Sequence, residues 1–276
     1  MSTALGLALA LGSAGALNWG YVAQHGGAAS LPPLALRRPL QSLRALFSQR
    51  QWVAGFLAGF GGWVLYVAAL RLAPLSLVQA VSAGGIGLLA LLAGRPLAIT
   101  ERRGVIVALA GMALLSVSLA GGSNAGSQPP WPRVAVWMAL SAAAAGLAVV
   151  LRRPRLAAGA GLGIAAGILF AAGDVGTKAA VGGGGRLAFV PALLACHAVA
   201  FSALQLGFQR GSVLATAGVA SLLTNAVPIA AGVVVFHEHL PGGALGVARG
   251  AAFAAVVAGA ALLAVSLRRP VPNAIL

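Results

Sequence analysis

Apolar stretches long enough to cross a lipid bilayer follow one another along this chain, and charge falls almost entirely between them. A spanning helix needs about 20 mostly apolar residues. Nine stretches qualify: 3–24, 52–70, 74–94, 104–121, 134–151, 157–181, 187–208, 212–236 and 242–267. Only 8% of the 276 residues are charged, against roughly 25% in a soluble domain, and the mean hydropathy is +0.96. The chain therefore reads as an integral membrane protein. Backbone polar groups in lipid must be satisfied within the spanning segment, which favours helices, and the alternation of an outer-membrane barrel strand is missing. The expected fold is all-α, a polytopic bundle of about nine transmembrane helices.

A net charge of +15 invites a nucleic-acid partner. The distribution argues against one, because the basic residues sit in short clusters between the apolar stretches. The breaks "GRPLAITERRG", "SNAGSQPPWPR" and "LRRPR" carry the prolines, glycines and charges that end helices. With nine alternating crossings, thirteen of the eighteen basic residues fall on one side and four on the other, with Arg249 left inside a helix. The positive-inside rule then places the N-terminus outside and the C-terminus in the cytoplasm, in a plasma-membrane protein whose immediate surroundings are lipid. The N-terminal apolar run lacks a positive n-region and exceeds a normal h-region, so it reads as a retained helix rather than a cleaved signal. Residues 26–50 are too charged to cross. There Leu36, Leu40, Leu43 and Phe47 recur at helical spacing against Arg37, Gln41 and Arg44, as in an amphipathic helix lying on the cytoplasmic surface. Cys196 is the only cysteine, so no intrachain disulfide forms.

Two segments repeat. "AGMALLSVSL" at 110–119 nearly matches "AGAALLAVSL" at 258–267, and "NWGYVAQHGG" at 18–27 aligns with "DVGTKAAVGG" at 174–183. In the second pair Asn18 falls on Asp174 and Gly20 on Gly176. An odd number of crossings separates the copies, so they run in opposite directions, the inverted-repeat plan of many secondary transporters. The organisation that follows is a first repeat over 1–121, a joining helix and loops over 122–156, and a second repeat over 157–276.

At this point the chain resembles the drug/metabolite transporter superfamily. The segments that carry the resemblance are "AALRLAPLSLVQAVSAGGIGLLALLAG" with "ERRGVIVALAGMALL", and "FQRGSVLATAGVASLLTNAVPIAAGVVVFHEHL" with the glycine-spaced last helix. The similarity is to the EamA-like branch, and in helix count to nine-helix relatives such as the NIPA-type magnesium transporters. Usual members have ten helices; here the second is replaced by the 26–50 stretch. The acidic residue closing the fourth helix of each half is matched by Glu238, and only loosely by Glu101. The resemblance implies a transporter fold and no particular substrate.

Ionisable residues inside a membrane are functional candidates by default. The chain has three acids, of which Asp174 alone lies deep in a span. Lys178, the only lysine, is one turn away and reads as a residue snorkelling to the outer interface. Arg249 sits at a similar depth in the last span. Asp174 is thus either half of a structural ion pair with Arg249 or a group for which substrate or a proton competes. Asn18, Tyr21 and His25 give the first helix a polar face, toward which Gln24 leans. His197 and Gln205 share a face of 187–208, with His197 either hydrogen-bonded packing or a proton carrier. Pro228 frees backbone carbonyls near Thr224 and Asn225, and the helix-weak "SAGGIG" beginning at Ser82 occupies the matching helix of the first half, shortly after Gln79. Interrupted helices at matching positions point to a transport site. The candidate substrate-binding set is therefore Asn18, Tyr21, Gln79, Ser82, Asp174, Lys178, His197, Thr224, Asn225 and Arg249, with Trp19, Trp63 and Tyr66 as candidate lining. Two glycine ladders, Gly159–Gly163–Gly167 and Gly242–Gly246–Gly250–Ala254, are set for close helix packing.

"HEH" at 237–239 places two histidines too close on a helix to share a metal. Asp174, His197 and Ser202 lack the context of a nucleophile motif. Neither a cofactor nor a metal nor an enzyme activity is expected. The favoured function is a secondary transporter of a small metabolite, amine or drug-like solute, working by alternating access and coupled to a proton or to facilitated flow. The alternatives are a magnesium or other cation transporter, and a non-transporting scaffold or lipid-associated subunit. A homodimer is compatible with either.

Overall fold

The computed structural model describes residues 2–34, 38–72, 85–94, 96–119, 130–151, 156–181, 184–237 and 242–265. All described regular structure is helical. The helices are α1 (Ser2–Ala29), α2 (Pro39–Ser48), α3 (Arg50–Leu72), α4 (Gly85–Leu92), α5 (Ile99–Leu119), α6 (Trp131–Val150), α7 (Ala160–Val181), α8 (Val190–Phe208), α9 (Val219–Val234) and α10 (Gly243–Ala264). A 3₁₀ turn over Gly184–Phe189 leads into α8, and a wide π turn over Leu214–Gly218 leads into α9. Prolines stand at the first turns of α2, α6 and α8, where the missing N–H has no intrahelical partner to lose.

Five described stretches are long and apolar enough to cross a membrane on their own: Ala4–Ala29, Trp131–Val150, Leu187–Phe208, Leu214–Val234 and Gly243–Ala264. Ala160–Gly176 is a shorter apolar stretch of the same kind. The protein is a polytopic helical membrane protein. The expected surface helix at 26–50 contracts to the ten residues of α2. Leu40, Leu43 and Phe47 lie exposed along it, while Leu46 turns into the core. The third expected span is described only as α4, so Gln79 and Ser82 lie outside the described residues.

Contacts build the two ends of the chain alike. In the first half α1 packs on α3 and on α4, and α4 on α5. In the second, α7 packs on α8 and on α9, and α9 on α10. The halves meet where α5 lies along α10 and where α4 touches the π turn before α9. Directions follow from the touching residues. Gln24 bonds Gln205 and Ala28 bonds Gln209, so α1 and α8 are parallel. Gly159 faces Gly207 while Gly176 faces Leu193, so α7 runs antiparallel to α8 and hence to α1. Gly104 meets Gly259 and Gly111 meets Ala255, so α5 and α10 are antiparallel as well. One end of the bundle therefore gathers Arg38, Arg44, Arg50, Arg102, Arg103 and Arg210, and Arg133 stands at the other.

Small residues set the tightest contacts. A Cβ on Gly163 would stand 2.5 Å from the Thr216 carbonyl oxygen, and one on Gly167 2.7 Å from that of Ala220. This first glycine ladder thus seats α7 against the π turn and α9. Gly159 at its head also needs its positive φ of +83°, a conformation costly to any other residue. The second expected ladder is a correction. Gly242 and Gly250 have open space around them. The contact face of α10 is instead Arg249, Ala252, Val256, Gly259 and Leu263, against α5, because that stripe meets Gly104, Ala108 and Gly111.

Gly163→Val is expected to lower the thermal midpoint of the detergent-solubilised protein, at a cost of about 1–3 kcal/mol for forcing a side chain into a filled contact. Gly250→Ala should leave the midpoint within error. Fluorescence-detected size-exclusion chromatography after heating reads both.

Candidate functional site

Asp174 is the only exposed residue on the described buried face of α7. Its stripe decides where it points. Gly163 and Gly167 lie eleven and seven residues earlier on the same side of the helix and press on the π turn and α9. Asp174 therefore faces inward, beyond the place where α9 covers that stripe, and its side chain is 48% exposed. Its ion-pair partner is His197 of α8, with Nε2 3.6 Å from Oδ1. His197 is 37% exposed and lies edge-on to Phe170, one turn before Asp174. Gly173 makes room for the imidazole, since a Cβ there would run into the ring. Tyr66 of α3 lies within electrostatic reach of the carboxylate. Thus α7 and α8 meet at one acid, with Tyr66 of α3 in its field.

The second nitrogen of His197 fixes a proton. Nδ1 stands 2.9 Å from the Leu193 carbonyl oxygen, which can only accept. Nδ1 is therefore protonated, and Nε2 presents a lone pair to Asp174 unless the ring is an imidazolium. The two groups attract each other as an ion pair only when the imidazole carries its second proton.

The expected Asp174–Arg249 pair does not form. Arg249 is 5% exposed and donates from a terminal nitrogen to the Ser118 carbonyl oxygen of α5 at 2.9 Å. Equal depth along two helices said nothing of azimuth, and the contact face of α10 turns Arg249 to α5. Asn18, the proposed mate of Asp174, differs from it too. It is 7% exposed, donates back to Ala14 at 2.8 Å, and packs on Gly85 at the start of α4. Tyr21 is partly buried against the main core. Asn225 likewise donates back to its own helix, at Ser221. Thr224 is half-buried, and α9 runs on through Pro228 without breaking. The wide turn falls earlier, at 214–218, where sequence reasoning placed none. Lys178 lies on α7 one turn beyond Asp174. Trp19 and Trp63 are exposed rather than gathered at Asp174. Of "HEH", His237 contacts Arg133, and the other two residues lie outside the described set. Among the described residues no three metal-ligating side chains cluster.

A second polar group lies at the arginine-rich end. Trp52 Nε1 donates to Gln205 Oε1 at 2.7 Å, Gln205 Nε2 donates to Gln24 Oε1 at 2.8 Å, and Gln24 Nε2 donates to the Gly55 carbonyl at 3.3 Å. All three side chains are buried. Next to Gln24, a ring nitrogen of His25 donates to the Gly211 carbonyl at 2.9 Å. Gln209 donates to the Ala28 carbonyl at 2.9 Å and to that of Pro32 at 3.1 Å, and accepts from the Leu34 N–H. The histidine and glutamine expected on polar faces were thus found, but Trp52 and Gln209 were missed. The signal was present: Trp52 stands in the first turn of α3 and Gln209 caps the C-terminus of α8, each at a helix end. A separate cavity of about 270 Å³ at this end is shallow and lined by Val149, Leu156 and Leu162 together with Arg210.

Part of the chain is homologous to a membrane transporter. A probable magnesium transporter of Arabidopsis thaliana, NIPA9, is 41% identical over 83 residues, which is 30% of this chain and 24% of that protein. The match therefore spans about a quarter of the relative's length. No family model matches the chain. No solved structure matches it.

Gln205 joins two buried partners, so truncating it leaves both unsatisfied. Gln205→Ala is expected to destabilise by about 1–3 kcal/mol, the cost of buried polar groups left without partners. The same thermal assay checks this, and a midpoint equal to wild type would refute the network's role.

Proposed function

We propose that the protein is a secondary transporter in which two inverted halves, 1–121 and 157–276, rock about a solute site built on Asp174. The observation that carries this is an inward-facing, half-exposed carboxylate in an otherwise enclosed helix. Leaving a charge there without a role is costly in a membrane. The matching contact pattern of the two halves and the opposed directions of α1 and α7, and of α5 and α10, support the inverted plan. The nine crossings, the outside N-terminus and the cytoplasmic C-terminus belong to this reading. The arginines gathered at one end support that orientation.

In the cycle, Asp174 offers a negative charge to a small cationic or amine-bearing solute. His197 and Asp174 share a proton while the site is empty. A cation that takes the carboxylate displaces that proton toward His197 or water, which couples the two flows. His197 acts as the proton holder and Tyr66 as a neutral hydrogen-bonding wall. Asn18, Thr224 and Asn225 are close enough in depth to meet a solute once α4 and α9 move. No enzymatic step is required.

A second reading, magnesium transport, is favoured by the partial likeness to a probable magnesium transporter. Hard divalent cations prefer several oxygen ligands. Asp174 contributes one carboxylate, and Magnesium would keep most of its water in this site.

Proteoliposome flux across a panel of amines, metabolites and magnesium separates the readings. Asp174→Asn should reduce flux of the transported solute by about 10²-fold or more, as loss of a membrane-embedded charge partner of about 3 kcal/mol requires. Asp174→Glu should retain a measurable fraction. If Asp174→Asn leaves the flux of a transported solute unchanged, the site is misassigned.

A further inference from the structure

We infer that the hydrogen-bonded belt joining α1 and α3 to α8 is the gate closing the arginine-rich end of the transport path. This rests on the transporter reading and deepens it. Apart from the Gln24–Gly55 contact, each bond of the belt crosses between the halves. Trp52, Gln24, His25, Ala28, Pro32 and Leu34 belong to the first half; Gln205, Gln209 and Gly211 belong to the second. These bonds lie within about two turns of one end of the bundle, and Asp174 is exposed nearer the other.

The partners suit a reversible seal. They are neutral amides, an indole, an imidazole and backbone carbonyls. Water can replace every one of these bonds, so the net cost of separation is modest when water enters. The Ala28 carbonyl that Gln209 caps stands at the end of α1 and also accepts from the Leu31 N–H, so solvent can take the place of Gln209 there. The glycine contacts within each half are different. Gly20 presses on the Gly55 carbonyl, and Gly167 on that of Ala220. No water fits there, so these contacts hold within each half, while the equally tight Gly104–Gly259 contact keeps α5 on α10 across the boundary as a pivot and leaves the belt as the part that opens.

The repeat explains why the other end is not sealed by a matching belt. At the offset that pairs Asn18 with Asp174, Gln24 falls on Ala180 and His25 on Val181. Alanine and valine cannot form such a lock. The resting protein is therefore biased toward closure at the arginine-rich end, with Asp174 reached from the opposite side.

Two measurements test this in a Cys196→Ser background. The first reads accessibility without any knowledge of the solute. Tyr21→Cys lies one turn above Gln24, and a membrane-impermeant maleimide is added at the arginine-rich side. Adding Gln24→Leu and Gln205→Leu together should speed labelling about tenfold, the shift that one net hydrogen bond produces. The second uses the full protein with Gln24→Cys and Gln205→Cys. Oxidation should join them and stop flux, and a reductant should restore it, which decides the matter even if the leucine pair misfolds. Unchanged labelling in a monodisperse leucine pair, or flux that continues through the cross-linked protein, overturns the gate and leaves the transporter standing. Faster labelling in a protein that moves nothing from the panel supports the opening and sinks the transport reading instead.

Discussion

Helices in lipid have no hydrophobic drive to find one another, because a neighbouring chain of methylenes is as apolar as a leucine side chain. What holds this bundle is the approach of backbone to backbone at small residues, and the rest of the structure depends on it. Gly55 and Gly20 interlock α1 with α3, Gly163 and Gly167 seat α7 on the π turn and α9, and Gly104 and Gly259 draw α5 to α10. At each place a single methyl group would collide with main-chain atoms that cannot rotate away. The 39 glycines of the chain are therefore not merely a permissive composition. Some are contacts in themselves, and others, such as Gly250, touch nothing.

Given that framework, polar side chains are free to be placed sparingly. The described ones fall into two kinds. Asn18, Asn225 and Ser202 bond to the carbonyl four residues earlier in their own helices, which satisfies the side chain without joining anything. Gln24, Gln205, Gln209, His25 and Trp52 reach other elements, and they are concentrated at one end. A bundle in which polar contacts served only to strengthen packing would spread them through its length. Here most of the long-range side-chain bonds among the described residues lie at one end, across the boundary between the halves, while Ser13 joins α1 to α3 and Arg249 joins α10 to α5 toward the other.

Much of the fold was legible because its causes are local. Spanning length, proline at helix starts and arginine clusters between spans all act within a few residues, and the helices Trp131–Val150 and Gly243–Ala264 fall within three residues of the expected bounds. The Gly159–Gly163–Gly167 ladder was legible as spacing, and its partner was not. Its twin on α10 failed because small residues line two stripes of that helix and spacing cannot choose between them. The same gap explains the site. Asp174 was singled out by the cost of placing a charge in a spanning helix, which needs no neighbour. Its partner depends on which way two helices turn, and depth alone favoured Arg249 over His197. Trp52 and Gln209 were overlooked because each takes its meaning from a residue more than 150 positions away.

The fate of Arg249 sharpens the reading of Asp174. A chain with eighteen basic residues and three acids has an ample supply of cations to pair with a carboxylate set in a spanning helix. The deepest of them, Arg249, instead spends a hydrogen bond on the Ser118 carbonyl, and its Nε has no hydrogen-bond partner. Had the structure required a permanent ion pair at Asp174, an arginine would serve better than a histidine, since a guanidinium keeps its charge at any relevant pH. Histidine holds the acid only while the extra proton is present, and it lets go when that proton leaves. A partner that can be switched off is a poor structural brace and a good match for an acid that must be free at one stage of a cycle. The choice of His197 over Arg249 is thus the local feature that most favours a working site over a static pair.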